Sequence, residues 1–172
     1  MFDRPVILTG FMGSGKSSVG RILAKRLGCR FVDLDAEIVA IAGRSINDIF
    51  AHDGEQAFRS MESACLERVL GGGRSVVATG GGVVILDENR CSMRNRGVVI
   101  NLVVSLPLVL KRLHGAIDRP LFAGGNTPNS VKLLMDGREQ FYADADIRID
   151  TDGKSVEDVA AEILRFVEEL HA

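Results

Sequence analysis

Residues 10–18 read "GFMGSGKSS" and follow the apolar run Val6-Ile7-Leu8. Gly10, Gly15, Lys16 and Ser17 fit G-x-x-x-x-G-K-[ST], between a strand-like run and a helical pattern, which is the context that motif requires. The composition has a physical reason. A phosphate tail lying against backbone N–H groups leaves no room for Cβ atoms, and glycine removes them. A helix beginning at Lys16 or Ser17 turns its unpaired N–H groups and the positive end of its dipole toward the same anion. Lys16 adds one mobile charge for the β and γ phosphates, Ser17 offers a hydroxyl to Mg2+, and Gly13, Ser14 and Ser18 complete the cradle. A dinucleotide fingerprint read from Gly13 and Gly15 fits less well, because Ser18 stands where its third glycine belongs.

Outward from that loop, short apolar runs alternate with amphipathic segments. Strands are expected at Val6–Leu8, Phe31–Asp33, Ser75–Ala78, Val98–Val104 and Ile147–Ile149. Helical patterns cover Ser17–Leu27, Ala36–Ala42, Ile46–Ala51, Glu55–Leu70, Leu108–Leu113 and Val131–Ala143. A last helix runs from Ser155 to Leu170, where "SVED" has the spacing of a capping box. Continuously apolar strands separated by helices predict an α/β fold: three layers, α/β/α, around a five-stranded parallel sheet. "GGG" at 71–73 reads as a helix C-cap and turn. The glycine- and proline-containing stretch 114–130 is too polar for a core and long enough for a lid.

The second strand carries the next clue. "FVDLDAEI" ends in Asp33 and Asp35, and alternation along a strand points both carboxylates one way, toward the carboxyl end of the sheet where ligands bind. Two like charges on one face suit divided tasks, one for a metal and one for a hydroxyl. Capping of the following helix by Asp35 is a compatible alternative.

Composition narrows the function class. The chain has 172 residues, 46% hydrophobic and 26% charged, enough for one domain with a real core. Its net charge of -2, with basic residues scattered among acidic ones, argues against a nucleic-acid partner. Cys29, Cys65 and Cys91 lack metal or redox spacing, and together with the dispersed His52, His114 and His171 they give no metal site. The thiols read as reduced, in a cytoplasmic protein. "MFDRPVIL" has no signal-peptide pattern, and the apolar run Val98–Leu110 is too short and too interrupted to span a membrane.

Seven stretches in order, "GFMGSGKSS", "DLDAEI", "GRSINDIF", "GEQAFRSME", "ATGGG", "DRPLF" and "REQFY", resemble the shikimate kinase family along almost the whole chain. The resemblance implies a single kinase domain over 1–172 of the P-loop, nucleoside monophosphate kinase-like fold. Within it, a helical substrate-binding region covers about 34–70 and a lid about 112–126. It implies ATP and Mg2+ as cofactors, shikimate as the small-molecule substrate, and a monomer with no nucleic-acid or membrane partner. By the same resemblance Lys16 contacts the transferring phosphate, Ser17 binds Mg2+ and Asp33 holds the metal from behind. Asp35 accepts from substrate hydroxyls and serves as base, while Arg59 and Arg138 grip the substrate carboxylate. Gly80, Gly81 and Gly82 bring backbone N–H groups to the ring, Arg119 closes onto the γ-phosphate, and Arg112 stacks on adenine.

Each role competes with a plainer reading. Two arginines recognise a carboxylate with planar, paired hydrogen bonds that lysine does not reproduce. Read alone, Arg59 between Glu55 and Glu62 is a solvated helical ion pair. Gly80–Gly82 could be a tight strand exit, though three glycines exceed a turn's need. The family usually has proline where Gln140 stands, which bears on the pose of Arg138. The third strand ends in Thr79-Gly80 without an aspartate, leaving metal support to Asp33. A kinase for another small hydroxylated metabolite such as gluconate would keep the phosphate loop. A non-catalytic nucleotide switch is the other alternative, but the chain lacks N-K-x-D.

Overall fold

The computed structural model describes residues 3–113 and 127–170. Five strands form one sheet: β1 Val6–Thr9, β2 Arg30–Asp33, β3 Ser75–Ala78, β4 Val98–Val103 and β5 Ile147–Asp150. Their order is β2-β3-β1-β4-β5, every neighbouring pair is parallel, and Leu8 lies opposite Ala78 on one side and Ile100 on the other. The phosphate loop therefore leaves the central strand, with the ends of β3 and β4 on either side of it.

The strands alternate between two cores. Val6, Leu8, Val76, Val98 and Ile100 pack with Val19 and Leu23 of α1 (Lys16–Leu27) and Ile163 and Val167 of α7 (Val156–Glu169). Their neighbours Ile7, Val77 and Val99 face the other way. They meet Ile38 of α2 (Leu34–Ala42), Leu66 of α3 (Ile46–Leu70), Met93 of α4 (Asp87–Arg96), Val109 of α5 (Leu106–Leu113) and Val131 of α6 (Pro128–Tyr142). Burying each such side chain stabilises the fold by about 1.5–3 kcal/mol, before the entropy cost of ordering it. The expected three layers are present. Among the described residues no helix is long and apolar enough to cross a membrane.

Local differences from the sequence reading matter for the site. The chain enters α2 at Leu34, directly after β2, so Asp35 lies in the first helical turn and not on the strand. Asp33, not Asp35, is the N-cap, its side chain accepting from the Ala36 amide. The two helices expected over 46–70 form one element bent at Gly54, whose φ of 83° and ψ of 173° break the helical run. The helix α4 and the 3-10 turn Val83–Ile85 had no counterpart among the expected elements. Ser155 and Asp158 form the capping box read from "SVED", and Gly71 is the C-cap of α3.

Candidate active site

At the head of α1, Gly15 takes the N-cap position with φ 92°, a left-handed value that costs most side chains strain, and no side chain caps the helix. The first-turn N–H groups are thus left facing outward from the loop, as an anion site requires. Lys16 is buried, and its Nζ donates to the Gly10 carbonyl at 2.7 Å, the Phe11 carbonyl at 2.9 Å and Ser14 Oγ at 3.4 Å. A cleft of about 350 Å³ opens beside it, lined by Gly13, Gly15, Lys16, Ser17, Ser18, Asp33, Asp35, Thr79, Gly80 and Gly81. The fold thus brings the loop after β1, the acids after β2 and the glycines after β3 to one opening.

Ser17 Oγ donates to Asp33 Oδ2 at 2.8 Å, placing two hard oxygen atoms side by side at the loop. Asp35 faces the glycine turn from the opposite wall, since a Cβ on Gly80 would come within 2.8 Å of its Oδ1. Thr79 ends β3 by donating its hydroxyl to the Leu8 carbonyl at 2.9 Å, so the strand end offers no carboxylate.

Arg59 and Arg138 flank the cleft and do not line it. Arg59 is 8% exposed and its Nη1 donates to Glu62 Oε2 at 2.7 Å, with Nη2 at 3.4 Å from Glu55 Oε1. The helical ion pair therefore forms, but it is buried, with Glu62 only 1% exposed. A Cβ on Gly82 would meet Arg59 Nη2 at 2.4 Å, so the glycine is what admits the guanidinium. Arg138 is 5% exposed, and among the described residues its Nε and Nη1, like Arg59 Nε and Glu62 Oε1, have no hydrogen-bond partner. Leaving a buried donor unpaired costs about 1–3 kcal/mol, which an acceptor bound beside these nitrogens would recover.

Two residues join the arginines electrostatically. Burial pushes the Glu62 carboxyl up; the Arg59 charge and hydrogen bond oppose that, Asp35 adds to the rise, and Arg138 opposes it. Burial likewise pushes the Tyr142 phenol up to about 12, opposed by Arg138 beside it and by Arg59. Both guanidinium groups thus act on one small region. In the sequence Glu62 reads only as an ion-pair partner, and Tyr142 carries no assigned role. Signals existed: Glu62 shares a helical stripe with buried Phe58, Cys65, Leu66 and Val69, and Tyr142 stands four residues after Arg138.

At the opposite rim Arg112 donates through Nη1 to the Gly13 carbonyl, which seats it on the phosphate loop. Arg119 and residues 114–126 of the expected lid lie outside the described residues.

The family model described as shikimate kinase matches residues 12–168. A shikimate kinase of Geobacter sulfurreducens is 56% identical over 96% of this chain and 92% of its own, and one of Persephonella marina is 46% identical over 94% and 97%. The structure of shikimate kinase from Acinetobacter baumannii in complex with shikimate superposes with a TM-score of 0.92 at 34% identity, covering 96% of this chain and 93% of that one. A gluconokinase from Sinorhizobium meliloti superposes at a TM-score of 0.58 and 20% identity, a likeness of fold alone. Taken with a phosphate loop, an acid-lined cleft and paired buried arginines, these matches place the chain in the shikimate kinase family.

Proposed function

We propose that this protein transfers the γ-phosphoryl group of ATP to the 3-hydroxyl of shikimate, giving shikimate 3-phosphate on the route to the aromatic amino acids. The observation that carries this reading is the pair of buried guanidinium groups with unpaired N–H donors, set beside a glycine turn and an acid-lined cleft. A ring bearing one carboxylate and several hydroxyls answers that arrangement: the carboxylate takes the arginine donors, and a hydroxyl reaches Asp35.

The uncapped amides of α1 and the loop N–H groups bind the phosphates, while Lys16 exchanges the Gly10 and Phe11 carbonyls for phosphate oxygens. Asp35 accepts the proton of the attacking hydroxyl, and Arg59 with Arg138 fixes the ring so that this hydroxyl and the phosphorus lie in line. Positioning and charge neutralisation supply most of the acceleration in such transfers. The Ser17 hydroxyl and Asp33 carboxylate form the kind of oxygen pair that Mg2+ prefers, Ser17 as ligand and Asp33 behind it. An ion held there would supply neutralisation of phosphate charge. Arg112, held on the loop by the Gly13 carbonyl, takes the role of stacking on the adenine.

A coupled ADP-release assay with shikimate, gluconate or no acceptor tests the proposal. Turnover that depends on shikimate is expected. Turnover on gluconate in its place would redirect the reading to another small hydroxylated acceptor, and nucleotide binding without acceptor-dependent turnover would make the chain a switch.

A further inference from the structure

Tyr142 closes α6 and carries a hydroxyl to which the transfer chemistry assigns no task. Its side chain is buried, and its hydroxyl donates to the Gly81 carbonyl at 2.5 Å. The same phenol stands against Arg138, one helical turn earlier. A trans peptide is rigid, so its C=O and the following N–H point in opposite directions, and holding the Gly81 carbonyl also sets the Gly82 N–H. That restraint matters at this turn, because consecutive glycines leave the peptide little other resistance to rotation. Among the described residues the Gly81 and Gly82 amides have no hydrogen-bond partner. Gly82 is also where the Arg59 guanidinium rests. One hydroxyl thus holds the glycine peptide, and through Gly82 it governs the seat of Arg59.

A separate tie docks α6 on the same segment. Arg90 donates from Nη1 to the Val84 carbonyl at 2.6 Å and the Ile85 carbonyl at 3.1 Å, pairs through Nε with Asp144 at 3.3 Å, and lies 4.8 Å from the centre of the Phe141 ring. Loss of the Tyr142 hydroxyl alone therefore leaves the helix docked and frees the peptide.

The geometry points to Tyr142 as a positioning residue for the acceptor pocket: its hydroxyl sets the direction of the Gly81–Gly82 peptide, against which the Arg59 guanidinium rests, so that an acceptor carboxylate meets a preformed set of donors. This rests on the proposed function only in naming shikimate as that acceptor.

Tyr142→Phe keeps the ring and removes the hydroxyl. A single hydrogen bond of ordinary strength predicts a rise of about three- to ten-fold in KM for shikimate, with a smaller change in KM for ATP. In the ligand-free protein the 15N–1H resonances of Gly81 and Gly82 should move while those of β1 and α1 stay in place. Glycine amides that do not move overturn the proposal, as does an unchanged KM for shikimate. Equal rises in both KM values with a lowered melting temperature would assign Tyr142 to general packing and overturn it too. If the wild-type protein does not respond to shikimate, the acceptor is misidentified, and the glycine resonances still decide the role of Tyr142.

Discussion

Gly82 adopts φ −99° and ψ −4°, a backbone that any residue can take, so its need for hydrogen in place of a side chain comes from space alone. The atoms a methyl group would strike are the tips of Arg59, which can swing away. Gly82→Ala should therefore lower stability by about 1–3 kcal/mol, because the displaced guanidinium leaves the buried Glu62 carboxylate short of its partner, and raise KM for shikimate by about ten-fold or more. Thermal melting and steady-state kinetics check the two halves. Asp35→Asn keeps the shape and removes the proposed base, so kcat should fall by about 100-fold or more while KM for ATP barely changes. At this scale the sequence was legible in its placement of Lys16, Ser17 and Asp33, which the structure brings to one cleft. It was ambiguous for Arg59, because an i,i+3 acid partner looks the same whether solvated or buried, and burial is decided by the distant glycine turn.

Among the elements, α3 is the least regular. Its bend at Gly54 falls in the part of backbone space that is almost closed to other residues, and a Cβ there would meet nothing within 4 Å. Gly54→Ala should thus lower stability by about 1–3 kcal/mol through backbone strain alone, read as a drop in urea midpoint at unchanged slope. The glycine in "AHDGEQAF" was visible as a break, and the two expected helices meet at it. Less visible was α4, "DENRCSMRNR", which buries Met93 and Asn89 but has too few apolar residues to set up a helical period. The alternation in "FVDLD" predicts that Asp35 points with Asp33 as on a strand. The Asp33 side chain caps the Ala36 amide instead, and the helix begins at Leu34.

Across the whole molecule, burial of one phenol links stability to alkaline pH. Tyr142 holds its proton to about 12 in the folded protein against 10.0 ordinarily, so the unfolded chain ionises first. Its contribution is fully present below pH 10 and is lost as pH rises toward 12. Between about pH 9 and about pH 11.5 the urea stability of the wild type should fall by roughly 2 kcal/mol more than that of Tyr142→Phe. Equal declines would mean the phenol ionises freely. The order β2-β3-β1-β4-β5 was not readable from the chain, because pairing depends on which crossovers the helices permit. The bare start of α1 has a further consequence. A helix that opens on Gly15 leaves part of its own stabilisation to be supplied from outside, so the melting temperature of the chain should climb with nucleotide concentration well past saturation of the binding isotherm.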